Sequence, residues 1–110
     1  MGVTHELHKG SIAVAKGYSQ LNKASNAFYK DKVDSGAKHL EKAREDFGKA
    51  IDYFAKAEED AYKKAGEEID KGNNDLAKSI EEYGKGNDVR AEEYMDKAAN
   101  CYDKAMDMIG

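Results

Sequence analysis

The chain has 110 residues, no proline, 36% charged side chains, 9% aromatic side chains and a formal net charge of −4. That length supports one domain with a single modest core, and the lack of proline with few aromatics points to long helices rather than sheets. The acidic balance argues against nucleic acid as a partner, no run reaches the roughly eighteen apolar residues of a membrane span, and the single cysteine, Cys101, excludes an internal disulfide and suits a reducing compartment.

The opening MGVTHELHKG has no apolar signal core. Met1-Gly2 begins like a myristoylation site, but Glu6 stands where serine or threonine is needed. A cytoplasmic protein is expected. From Leu7 to Phe28 a stripe of Leu7, Val14, Tyr18, Leu21 and Phe28, with Ser11 and Ser25 between them, alternates steps of four and three. This spacing predicts a first helix over 4–30, with Thr4 as its N-cap. Beside the stripe runs a row of small residues, Gly10, Gly17 and Ala24. Glycine inside a helix costs about 0.5–1 kcal/mol against alanine, so a repeated small row implies close approach of a neighbouring helix.

A break at Lys30 to Asp34, with Asp31 or Asp34 as cap, opens a second helix over 33–56 whose inner face holds Leu40, Ala43, Phe47, Ala50, Ile51 and Phe54. The apolar phase slips near Lys56 to Asp60, and Glu58, Glu59 and Asp60 suit the positive end of a helix dipole. A turn is placed there and a third helix over 60–84. The competing arrangement continues the second helix to about Lys71 and turns at Gly72-Asn73-Asn74-Asp75. Gly84-Lys85-Gly86-Asn87-Asp88 ends the third helix. The fourth, over 88–109, presents Ala91, Tyr94, Met95, Ala98, Cys101, Tyr102, Ala105, Met108 and Ile109 on one apolar face.

Leu40 to Phe54 and Met95 to Ile109 align without a gap at an offset of 55 residues. Lys42, Ala43, Lys49, Ala50 and Asp52 recur identically, while Leu40/Met95, Phe47/Tyr102, Ile51/Met106 and Phe54/Ile109 keep their apolar character. The first-helix stripe returns at the same offset as Tyr62, Gly66, Ile69, Asn73, Leu76, Ile80 and Tyr83, and the small row as Ala65, Gly72 and Ser79. A seam between helices one and three is expected at Gly17 and Gly72. The fold expected is an all-α four-helix bundle of two similar helical hairpins, a single domain over 1–110 with halves of about 1–55 and 56–110.

Lysines at 9, 16, 23 and 30 recur at 64, 71, 78 and 85 and read as a solvated face. His5 and His8, three apart on a helix, have the spacing of two metal ligands but lack a third. His39 and Asp46, at the rim of the second helix, are about 10 Å apart along it and cannot bond each other. Cys101 has no histidine near it in sequence and reads as a small hydrophobe. Ala43-x3-Phe47-x2-Ala50 and Ala98-x3-Tyr102-x2-Ala105 resemble the second helix of a tetratricopeptide repeat, about eight residues in each half. That resemblance implies a peptide-binding role; the repeat here is 55 residues long rather than 34, and the Trp-Leu-Gly-Tyr pattern of that family's first helix is missing.

Charge is missing from one place. Between Gly10 and Tyr29 only Lys16 and Lys23 are charged. The outer flank of the first helix therefore offers His8, Ile12, Ala15, Ser19, Asn22, Asn26 and Tyr29, where the third offers Lys63, Glu67, Asp70, Asn74 and Glu81. Low charge with an aromatic is the composition of an interface core. The function expected is a non-enzymatic interaction or assembly module that uses Ile12, Ala15, Ser19, Asn22, Asn26 and Tyr29 to bind a protein partner or a second copy. The alternative is a small-molecule or metal-binding bundle resting on His5, His8, His39 and Asp46. No cofactor and no catalytic residue is expected.

Overall fold

A computed structural model describes residues 2–110, with side chains from residue 5 onward; Met1, and with it the acylation reading, lies outside the described residues. Four helices follow one another: α1 (Gly2–Tyr29), α2 (Val33–Lys56), α3 (Asp60–Gly84) and α4 (Asp88–Ile109). They form an all-α bundle of two antiparallel hairpins, 46 Å long and 18 Å across in both other directions. The turn between α2 and α3 falls at Ala57–Glu59, and Gly72 lies inside α3, so the continuous second helix does not occur.

Two of the turns are built alike, 55 residues apart. Lys32 donates its backbone N–H to Ala27 at 2.8 Å, and Asn87 donates to Glu82 at 2.9 Å. Each six-to-one bond wraps the end of a helix around a residue of left-handed backbone. In the second turn that residue is Gly86, with φ +79°; in the first it is Asp31, with φ 60°. Asp31 is therefore the bend and not the cap. Lys32 occupies the N-cap of α2 and Asp34 sits in its first turn, where a carboxylate meets the positive end of the helix. Thr4 is likewise not a cap, because α1 already runs at Gly2.

Helix axes come closest within each hairpin and between α2 and α3, where Cα atoms lie within 8 Å; α1 and α4 do not approach so closely. The small row explains this. A methyl group on Gly10 would meet the Phe54 ring at 2.4 Å, one on Gly17 the Phe47 ring at 2.7 Å, and one on Gly72 the Tyr102 ring at 2.6 Å. Each glycine thus receives an aromatic ring of the next helix in its own hairpin. The expected seam between α1 and α3 is wrong in its partner: Gly17 packs on α2 and Gly72 on α4. Rings reach across where backbones do not.

Phe47 stacks on Tyr102 with centroids 3.6 Å apart, and Phe28 stacks on Tyr83 at 4.0 Å. Both pairs are duplication equivalents, so the halves meet through like residues about a pseudo-two-fold axis. The Ala-x3-aromatic-x2-Ala pattern has a packing role in both halves, since Ala43, Phe47, Ala50, Ala98, Tyr102 and Ala105 are all fully buried. In α1 the core face is centred nearer the small row than the stripe: Ala13, Val14, Gly17, Leu21 and Ala24 are buried, and Ser11 and Ser25 are exposed.

Candidate interaction surface

The polar groups closest to the core have structural partners. Asn73 of α3 accepts the Tyr102 hydroxyl at 2.5 Å, donates Nδ2 to the Arg44 carbonyl at 3.2 Å, and offers its own carbonyl to Arg44 Nε at 3.1 Å. Three helices are clasped through one amide. Burial pushes the Tyr102 phenol well above its ordinary pKa, so it stays a neutral donor. The Ser79 hydroxyl donates to the Ala91 carbonyl at 2.7 Å, tying α3 to the first turn of α4.

The residues with chemical potential are dispersed. His5 and His8 are both exposed on α1, and among the described residues no three His, Cys, Asp or Glu side chains converge on one point. His39 Nδ1 lies 2.8 Å from Gln20 Oε1, a bond between α2 and α1. Asp46 is half-buried on the same face of the hairpin, beside Lys16 and Lys49. Cys101 is half-buried, with Sγ 3.9 Å from Asp75 Oδ2, and burial followed by that carboxylate raises its pKa. A thiol held protonated is a poor nucleophile.

The outer flank of α1 is present as a continuous surface. Ile12, Ala15, Ser19, Asn22, Asn26 and Tyr29 are all exposed, Ile12 at 43% and Tyr29 at 91%. On the α2 side it is bordered by a groove of about 220 Å³ lined by Lys9, Ile12, Lys16, Asp46, Lys49 and Tyr53. Lys9 and Lys56 both stand over the Tyr53 ring, at 5.8 and 5.7 Å. On the α4 side Tyr18 donates to Asp103 at 2.8 Å, and Ser25, Phe28 and Tyr29 share a cleft with Glu92 and Met95. Burial, then the Asp103 hydrogen bond, drives the Tyr18 pKa up.

In hairpin two the lysines equivalent to those of the groove are ion-paired. Glu68, in the place of Ala13, is nearly buried and holds Lys71 at 3.0 Å and Lys104 at 3.9 Å. Their counterparts Lys16 and Lys49 have no carboxylate within 4.0 Å among the described residues. No sequence motif flags this difference; the signal is one substitution, Ala13 against Glu68, visible once the halves are aligned. Among the described residues no helix is long and apolar enough to cross a membrane. No family model matches the chain, and neither a curated protein nor a solved structure matches it.

Proposed function

We propose that this bundle is a non-enzymatic interaction or assembly module whose contact surface is the outer flank of α1, binding a protein partner, in the simplest case a second copy of itself. One observation carries the reading: six consecutive outward positions of a 28-residue helix are exposed and uncharged in a chain with 36% charged residues. Equivalent positions of α3 carry Glu67, Asp70 and Glu81, so solubility of the fold does not demand an uncharged flank. A net charge of −4 directs the reading toward protein rather than nucleic acid, and a single cysteine fits a reducing compartment such as the cytoplasm.

Sedimentation velocity at tens of micromolar tests it. The unaltered chain is expected to associate, and the double variant Ile12→Glu, Ala15→Glu to be monomeric with unchanged helicity by circular dichroism. A monomeric unaltered chain with no copurifying protein overturns the reading.

A further inference from the structure

The uncharged flank of α1 has a period of its own. Ile12, Ala15, Ser19, Asn22, Asn26 and Tyr29 are spaced three, four, three, four and three, the a and d positions of a heptad turned away from the core. The e positions beside them are Lys9, Lys16, Lys23 and Lys30, and the g positions are Ser11, Tyr18 and Ser25. The e side borders α2, where Lys16 and Lys23 share a groove with Lys42, Glu45 and Asp46. The g side borders α4, whose Asp103 accepts the Tyr18 hydroxyl at 2.8 Å and whose Asp107 also bears on that phenol. One edge of the seam is therefore basic on balance, its lysines outnumbering Glu45 and Asp46 of α2; the other has no charged residue at its own g positions and is backed by the carboxylates of α4.

This asymmetry chooses between the two ways in which a pair of such helices can meet. In an antiparallel pair e faces the partner's e, which sets lysine against lysine along the seam. In a parallel pair e faces g, and the charges at those positions set partner choice and direction. Lys16, Lys23 and Lys30 then fall beside the other copy's Ser11, Tyr18 and Ser25, with the carboxylates of α4 behind them. Each a and d residue meets its own counterpart. Asn26, at an a position, is a residue that fixes register by pairing its amide with itself, at a cost in stability. Opposite charges across an interface steer the encounter and exclude the wrong orientation.

We infer that the partner is a second copy of this chain, docked with its α1 parallel to this one about a two-fold axis along the helix, so that Lys23 of each copy lies beside the Tyr18–Asp103 pair of the other. The inference rests on the proposal that the α1 flank is the contact surface, and adds the partner and its direction.

Cysteine cross-linking separates the two. In a Cys101→Ala background, Ile12→Cys and Asn26→Cys are oxidised singly and as a mixture. The parallel pair predicts that each variant links to itself and that the mixture gives no mixed product, because positions 12 and 26 are about 21 Å apart along a helix. A mixed product without self-linking overturns the parallel arrangement and leaves the α1 contact standing. A dimer by sedimentation with no link at either position overturns both; a monomer overturns the second copy as partner, and overturns the α1 contact as well when no protein copurifies. Salt gives a second readout: raising it should loosen the dimer by screening lysine–carboxylate attraction, and a dimer tightened by salt overturns the inference.

Discussion

Hairpin one lays Phe47 across Gly17, and hairpin two lays Tyr102 across Gly72. The two rings stack, 11° from parallel, at the centre of the bundle. Elsewhere the halves reach the same packing by different means. Gly10 receives the Phe54 ring, whereas the equivalent places hold Ala65 and Ile109, a smaller side chain set against a larger small residue. Outside the core the resemblance ends. Ala13 has become Glu68, and the lysines around it have become ion-paired in one hairpin and not in the other. A core divided between two copies of one pattern is held to a fixed volume, while the surface of each copy is free to change its charge.

The strongest way to break this comparison is to empty one half of the central stack. Phe47→Ala should cost about 3–5 kcal/mol in a denaturant titration, a large part of the stability of a domain this small. A cost below about 1 kcal/mol would mean that the ring contributes little despite being fully buried.

Next in size are the close approaches. Gly17→Ala and Gly72→Ala each force a methyl group into a ring and should destabilise by about 1–3 kcal/mol. Gly48 and Gly66 are helical controls, because a Cβ there would meet its nearest neighbours at 4.0 and 3.8 Å, ordinary contact distances. Alanine at either should stabilise by about 0.5–1 kcal/mol through helix propensity. Opposite signs at the two pairs of sites would establish that backbone approach, not glycine content, is what the sequence maintains.

Tyr102→Phe sharpens the difference between the stacked rings. It makes the second hairpin match Phe47 of the first but leaves Asn73 Oδ1 without its donor, at a cost of about 1–3 kcal/mol. Restoring the loss by a second change, Asn73→Leu, would show that the clasp is an exchangeable polar pair. The smallest effect concerns the turns. Asp31→Gly copies Gly86 into the first hairpin and should raise stability by up to about 1 kcal/mol, since an L-residue is strained at φ 60°. A lower melting temperature would show instead that the Asp31 side chain supports its own turn.

The four helices, their ends and the doubled pattern were legible in the residues themselves. A helix repeats every 3.6 residues, so Val33–Lys56 and Asp88–Ile109 follow from apolar spacing that lies within one stretch of chain, although the residues expected to cap α2 do not do so. The uncharged flank of α1 was legible for the same reason: its positions are exposed because the opposite face of the same helix is buried. Contacts between distant residues were not. Gly17 announces a close neighbour without saying which, and only the folded chain sets it on Phe47 of α2 rather than on α3. The duplication put Asn73 on the inward stripe of the third helix without saying what its amide would meet; it is a buried clasp because Arg44 and Tyr102, each 29 residues away, arrive at that amide. Local periodicity is fixed by backbone geometry over a few residues; the pairing of one helix with another is decided by side-chain volumes and hydrogen bonds that meet only when the hairpins close.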